Sequence, residues 1–217
     1  MKRFMFLGVL AAFCFVLSIG SGVAAAQSVH DRADADKDGV ITKEDMKKAL
    51  EERYRGEDTN KDGKVTVDEY QDARRKNFDD ADANKDGMVT VEEWAIYWCG
   101  TDQGAAKVKK PVKMSRNASR AKLMDTNKDG KLGKDECVVF WAGRFVDLDG
   151  NKDSKMSRQE YLDRMKAMAK MMDIDGDGVI TIEEYSVSWV GKDNAATKNE
   201  PAGKTKKGAA QKTPAKK

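Results

Sequence analysis

The chain has 217 residues, 40 of them Lys or Arg against 37 Asp or Glu, for a net charge of +3. Charged residues make up 35% and the mean hydropathy is −0.72, so beyond its first residues nothing is apolar enough for a membrane-embedded body. A single His and three Cys exclude a Cys/His metal cluster, and no nucleophile–base pattern, phosphate-cradling glycine loop or specific nucleic-acid motif occurs. No enzyme is expected.

Residues 1–26 open with Lys2 and Arg3, continue through an apolar run, Phe4–Ile19, and end in Ala24-Ala25-Ala26. This is the pattern of a secretory signal peptide. The apolar run is shorter than the roughly 20 residues a spanning helix needs. The expected protein is exported, periplasmic or secreted, with no transmembrane helix after signal cleavage; an uncleaved anchor is the alternative.

A twelve-residue pattern then recurs six times, starting at Asp34, Asp58, Asp82, Asp125, Asp149 and Asp173. Each copy has oxygen-bearing side chains at positions 1, 3 and 5 and an acid at 12, and five have glycine at 6. A hard cation such as calcium takes six to eight oxygens, and three side chains converge on it only if the backbone turns sharply after them. Position 7 adds a carbonyl, position 9 a side chain or water, and the acid at 12 closes the shell.

The candidate ligands of the first loop are Asp34, Asp36, Asp38, Val40, Thr42 and Asp45; of the second, Asp58, Asn60, Asp62, Lys64, Thr66 and Glu69. The third offers Asp82, Asn84, Asp86, Met88, Thr90 and Glu93. The fourth offers Asp125, Asn127, Asp129, Lys131 and Glu136, with Gly133 giving no side chain at position 9. The fifth offers Asp149, Asn151, Asp153, Lys155, Ser157 and Glu160; the sixth, Asp173, Asp175, Asp177, Val179, Thr181 and Glu184. Asp45 is one methylene shorter than Glu, so the first site is expected to hold calcium more weakly or to accept Mg²⁺. Ser154 replaces the turn glycine of the fifth loop and would be strained at positive φ, which makes that site the weakest. The sixth loop, with four carboxylates and a Glu at 12, is expected to be the tightest.

All six loops resemble EF-hand calcium-binding loops. The resemblance implies an all-α fold of helix-loop-helix repeats with short β contacts between loops, and Ca²⁺ as the bound ion. Two functions follow as expectations: a calcium buffer, store or calcium-stabilised structural module, or a sensor that exposes an apolar Met and aromatic surface to a partner protein.

Loops start 24 residues apart within each half, and residues 82–100 match 173–191 at eight of nineteen places, an offset of 91. The chain therefore reads as two related three-loop units, 27–100 and 116–191, joined by a linker at 101–115. Only twelve residues separate neighbouring loops, so one helix should leave each loop and enter the next. Position 8 of each loop is apolar (Ile41, Val65, Val89, Leu132, Met156, Ile180) and should form the β contact. Consecutive loops then lie at opposite ends of a shared helix. The expected pairs are one with three, four with six, and two with five across the halves.

Trp94, Tyr97, Trp98, Tyr185 and Trp189 follow loops at helical spacing, and Met165, Met168, Met171 and Met172 share a later helix. Core packing is the simpler role for both sets, and a binding surface the alternative. Cys99 and Cys137 correspond to Val190 and Met46 in the other half. That suggests core-like cysteines, although export makes a disulfide chemically feasible. His30 reads as an exposed residue ahead of the first loop. Residues 192–217 carry eight Lys against Asp193 and Glu200, a basic tail expected to be disordered and able to touch an anionic surface.

Overall fold

A computed structural model describes residues 27–115 and 119–191; the expected signal peptide and basic tail lie outside the described residues. The described helices are α1 (Val29–Ala33), α2 (Lys43–Glu57), α3 (Val67–Ala81), α4 (Val91–Cys99), α5 (Arg120–Met124), α6 (Lys134–Leu148), α7 (Arg158–Met172) and α8 (Ile182–Val190). Six short strands lie in the loops: β1 (Val40–Ile41), β2 (Val65–Thr66), β3 (Met88–Thr90), β4 (Leu132–Gly133), β5 (Lys155–Ser157) and β6 (Val179–Ile180). The fold is all-α, and its only sheets among the described residues are two-stranded. None of these helices is long and apolar enough to cross a membrane.

The helices after five of the six loops start at a strong N-terminal signal, whereas α6 starts at Gly133, which has no side-chain cap bond. Thr42, Thr66, Thr90, Ser157 and Thr181, all at loop position 9, accept the backbone N–H of the acid at position 12, which answers to the cap's own N–H. This reciprocal box satisfies two amides the helix cannot. The helices α2, α3, α6 and α7 each run 15 residues, from one loop to the first residue before the next. At 1.5 Å per residue each is about 22 Å long and holds consecutive loops at opposite ends, as the 24-residue spacing implied.

The loop pairs differ from expectation. β1 pairs with β4, β2 with β6 and β3 with β5, all antiparallel and all between the two halves. No pair forms within a half, and Val65 meets Ile180 rather than Met156. The reason lies in the helices. α3 and α7 pack side by side, with the Phe78 and Tyr161 rings 5.9 Å apart and the Tyr70 hydroxyl 4.0 Å from the Met165 sulfur. Their antiparallel course puts the second loop beside the sixth at one end and the third beside the fifth at the other. Both the expected and the observed schemes pair every loop, so the packing of α3 on α7 makes the choice. The apolar residues at position 8 meet in every pair: Ile41 faces Leu132, Val65 faces Ile180 and Val89 faces Met156.

The aromatic and Met residues form the core that joins the halves. Trp98 of α4 stacks on Trp141 of α6 at 3.7 Å between ring centroids, and Trp94 meets Trp141 and Tyr161 edge-on. Met165, Met168 and Met172 are buried, as are Tyr185 and Trp189.

One sequence reading is corrected here, and two gain detail. Cys99 and Cys137 are buried as expected, but they form a disulfide that ties α4 to α6. His30 is buried, not exposed: its Nε2 lies 3.1 Å from the Leu132 carbonyl oxygen, because the short α1 packs its only His against the β1–β4 pair. The 101–115 segment is polar but docked. Ala105 is fully buried, Val112 N–H donates to the Gly143 carbonyl at 2.8 Å, and Arg144 donates to the Val112 carbonyl at 2.8 Å. A Cβ on Gly143 would stand 2.5 Å from the Val112 side chain, so this close approach requires glycine.

Candidate metal centres

The same turn is built in all six loops. The residue at position 4 has positive φ in each: Lys37, Lys61, Lys85, Lys128 and Lys152 near +60°, and Gly176 at +77°. The residue at position 6 does so too, and Ser154 at +68° confirms that the fifth loop forces a side chain into this region. The turn aims backbone amides inward at the first Asp. Gly39 donates to Asp34 Oδ2 at 2.8 Å, Gly63 to Asp58 and Gly87 to Asp82 at 2.9 Å, Gly130 to Asp125 and Gly178 to Asp173 at 3.0 Å. Ser154 makes the equivalent bond to Asp149 at 2.9 Å.

The acid at position 12 folds back across its loop. Glu69 Oε2 accepts from Thr66 N–H while its Oε1 accepts from Thr59 and Asn60. Glu93, Glu136, Glu160 and Glu184 repeat the span, each bridging position 9 to position 2 or 3. The Thr66 amide and the Thr59 hydroxyl hold the Glu69 carboxyl down to about 2. Burial works against the charge of Glu160, but donors from Ser157, Asn151 and Gly150 outweigh it and lower its pKa. Asp45 accepts from the Thr42 hydroxyl at 2.6 Å and amide at 3.1 Å, and these bonds lower its pKa. The Ala35 amide lowers it further, but among the described hydrogen bonds those of Asp45 are to Thr42, whereas each glutamate also accepts from position 2 or 3 of its loop.

In the first and sixth loops the carboxylates at positions 1, 3 and 5 converge, with one oxygen from each of Asp34, Asp36 and Asp38, and of Asp173, Asp175 and Asp177, within 4.8 Å of one another. In the second to fifth loops Asn supplies the oxygen at position 3. Asp125 Oδ1 is buried with no hydrogen-bond donor. Converging carboxylates and an orphaned buried carboxylate oxygen fit a hard divalent cation, which satisfies lone pairs that no donor reaches.

A sequence model of the family described as EF hand matches residues 31–50, 58–72, 76–95, 122–136 and 170–187. The chain is an EF-hand protein. Its hands indicate calcium binding, and the superfamily is typically non-enzymatic. The matched segments contain or enter five of the six loops; the loop at Asp149, with Ser154, lies outside them yet has the same turn and the same glutamate bridge. No curated protein matches the chain.

Sequence reasoning missed a polar network beneath the EF hands. Arg53 and Arg74 both pair with Glu57, and the Tyr185 hydroxyl donates to the same Glu57 oxygen at 3.0 Å. Asn77, with its amide oxygen turned to the guanidiniums, accepts from Arg53 at 2.9 Å and Arg74 at 3.2 Å and donates to the Tyr97 hydroxyl. These residues lie on α2, α3, α4 and α8, so only the assembled fold brings them together.

Proposed function

We propose that this EF-hand protein is exported and binds calcium at up to six sites, serving as a buffer or as a calcium-stabilised structural module. The ligands are the residues at positions 1, 3, 5, 7, 9 and 12 of each loop, with water in place of a side chain at Gly133. The first site, closed by Asp45, also accepts Mg²⁺. The observation that carries the structural reading is the pairing of every loop with one from the other half. Filling any pair strengthens a joint between the halves, so ion binding is folding free energy. Burial of Met165, Met168 and Trp98 supports a closed structure over a sensor surface. The Cys99–Cys137 disulfide suits an oxidising compartment, which supports export. The Lys-rich tail gives the protein a contact to anionic surfaces.

The test is retention of protein lacking residues 1–26 on a phenyl matrix, in calcium and then in chelator, with circular dichroism in both. Passage in calcium together with a higher unfolding temperature supports the module. Retention in calcium and release by chelator, from protein folded in both, makes it a sensor.

A further inference from the structure

The fourth loop departs from the other five at two positions. Position 9 is Gly133 where the others carry Thr or Ser, and position 13 is Cys137 where they carry Met46, Tyr70, Trp94, Tyr161 and Tyr185. The first change loosens the loop. In the other five loops the hydroxyl at position 9 donates to the acid at position 12 over 2.6–2.9 Å. Glu136 lacks that donor: its Oε1 still reaches Thr126 and Asn127, but its Oε2 accepts from the Gly133 N–H at 3.3 Å. The first Asp of the other five loops also accepts a backbone amide at Oδ1, whereas Asp125 Oδ1 is buried without a donor. Among the described bonds, those of the fourth loop fix it least.

The second change adds an anchor from outside the loop. Cys137 directly follows Glu136 and is bonded to Cys99 at the end of α4, in the other half. The anchor point is closely packed. Cys99 is fully buried, its neighbour Trp98 stacks on Trp141 of α6, and a Cβ on Gly100 would stand 2.9 Å from Asp31 of α1. The Lys134–Asp31 ion pair in the same turn of α6 leaves 41% and 34% of its side chains exposed and holds less firmly.

We propose that the Cys99–Cys137 disulfide is a positioning device for the fourth calcium site, holding Glu136 across its loop as the position-9 hydroxyl does in the other five. The inference rests on the reading of the loops as calcium sites. Calcium takes both oxygens of the acid at position 12, so affinity depends on how that carboxylate is aimed. Removing a group that orients a metal ligand typically weakens binding by roughly 10–100-fold.

The test follows the turn-glycine amides Gly63, Gly130 and Gly178, of the second, fourth and sixth loops, through a calcium titration of the oxidised protein. The double variant Cys99→Ala, Cys137→Ala should weaken binding at Gly130 by about tenfold and leave Gly63 and Gly178 near their wild-type midpoints. A bond with a purely structural role would shift all three alike. Adding Gly133→Thr to the double variant should restore the Gly130 midpoint. Gly133 already has φ −81° and ψ 165°, close to the −83° and 166° of the capping Thr90, and a Cβ there meets nothing within 4 Å. Gly133→Thr with the disulfide intact does not depend on the double variant folding. It should leave Gly130 near its wild-type midpoint, because Glu136 is positioned already. Tightening by about tenfold in that intact protein, an unchanged Gly130 midpoint without the disulfide, equal weakening at all three glycines, or no rescue by Gly133→Thr would each overturn the proposal. Saturating calcium that moves none of the three glycines would refute the calcium reading itself, and the positioning role with it.

Discussion

Val65 stands directly opposite Ile180 in an antiparallel pair, although the two residues belong to the second and sixth EF hands. The contact is reinforced nearby, where the Tyr54 hydroxyl donates to the Ile180 carbonyl at 2.8 Å and to the Gly63 carbonyl at 3.3 Å. The two loops share a backbone ladder and a bridging side chain, so ordering one by calcium orders part of the other. Glu184→Gln is therefore expected to weaken calcium binding at the second loop and leave the third near its wild-type affinity. Amide resonances of Gly63 and Gly87, the turn glycines of those loops, report each site during a titration. A wild-type midpoint at Gly63 as well as at Gly87 would mean that the ladder does not couple the sites. The same variant should lower total calcium affinity more than Glu160→Gln, since the fifth loop already carries the strain at Ser154.

The loops themselves were legible in the sequence because their chemistry is local. Oxygen donors, a turn residue and a helix cap within twelve residues determine one another, and the 24-residue spacing allows only a shared helix. Loop pairing was not legible, because every position 8 is apolar and any two make an acceptable ladder. The choice is made by α3 against α7, whose faces are no more distinctive in sequence than those of α2 or α6. His30 and the arginines beneath the hands were missed for a related reason: charged or titratable residues read as surface until a distant partner is known, and Glu57 lies 128 residues from Tyr185.

Ser154 is a non-glycine residue at φ +68° with its amide already bonded to Asp149. Left-handed backbone costs an L-residue about 1 kcal/mol, and glycine avoids this. Ser154→Gly should raise the stability of the chelated protein by about that amount and tighten the fifth site. Chemical denaturation in chelator measures the first effect. An unchanged midpoint would show that the loop tolerates Ser154 without strain.

His30 donates to no charged partner, and burial lowers its pKa against the weaker raising effect of the Leu132 carbonyl. Lys134 also lowers it, while Asp31 and Asp34 raise it. The folded state thus prefers neutral His30 more than the unfolded chain does. That contribution is complete above the unfolded value of about 6.5 and declines as pH falls from there through the folded value. Unfolding midpoints in chelator between about pH 8 and pH 5 should fall more for wild type than for His30→Gln. Parallel curves for the two proteins would assign the acid sensitivity to other groups.

The disulfide joins Cys99 to Cys137 across a sequence separation of 38 residues and ties α4 of the first unit to α6 of the second. Closing a loop of that length restricts the unfolded chain by about 4 kcal/mol in the chain-entropy estimate, and measured values are commonly nearer 2–4 kcal/mol. Both sulfurs are buried, and the docked turn at Ala105–Lys107 packs against α4 and α6 beside them. A reductant should therefore act slowly on the native protein and readily on the unfolded one. The double variant Cys99→Ala, Cys137→Ala should lose about 2–4 kcal/mol in calcium, and proportionately more of its total stability in chelator, where the loop ladders are weaker. Thiol titration of native and denatured protein, with and without reductant, checks the bond itself. Two free thiols in oxidised, denatured protein would refute the disulfide and return both cysteines to simple core packing.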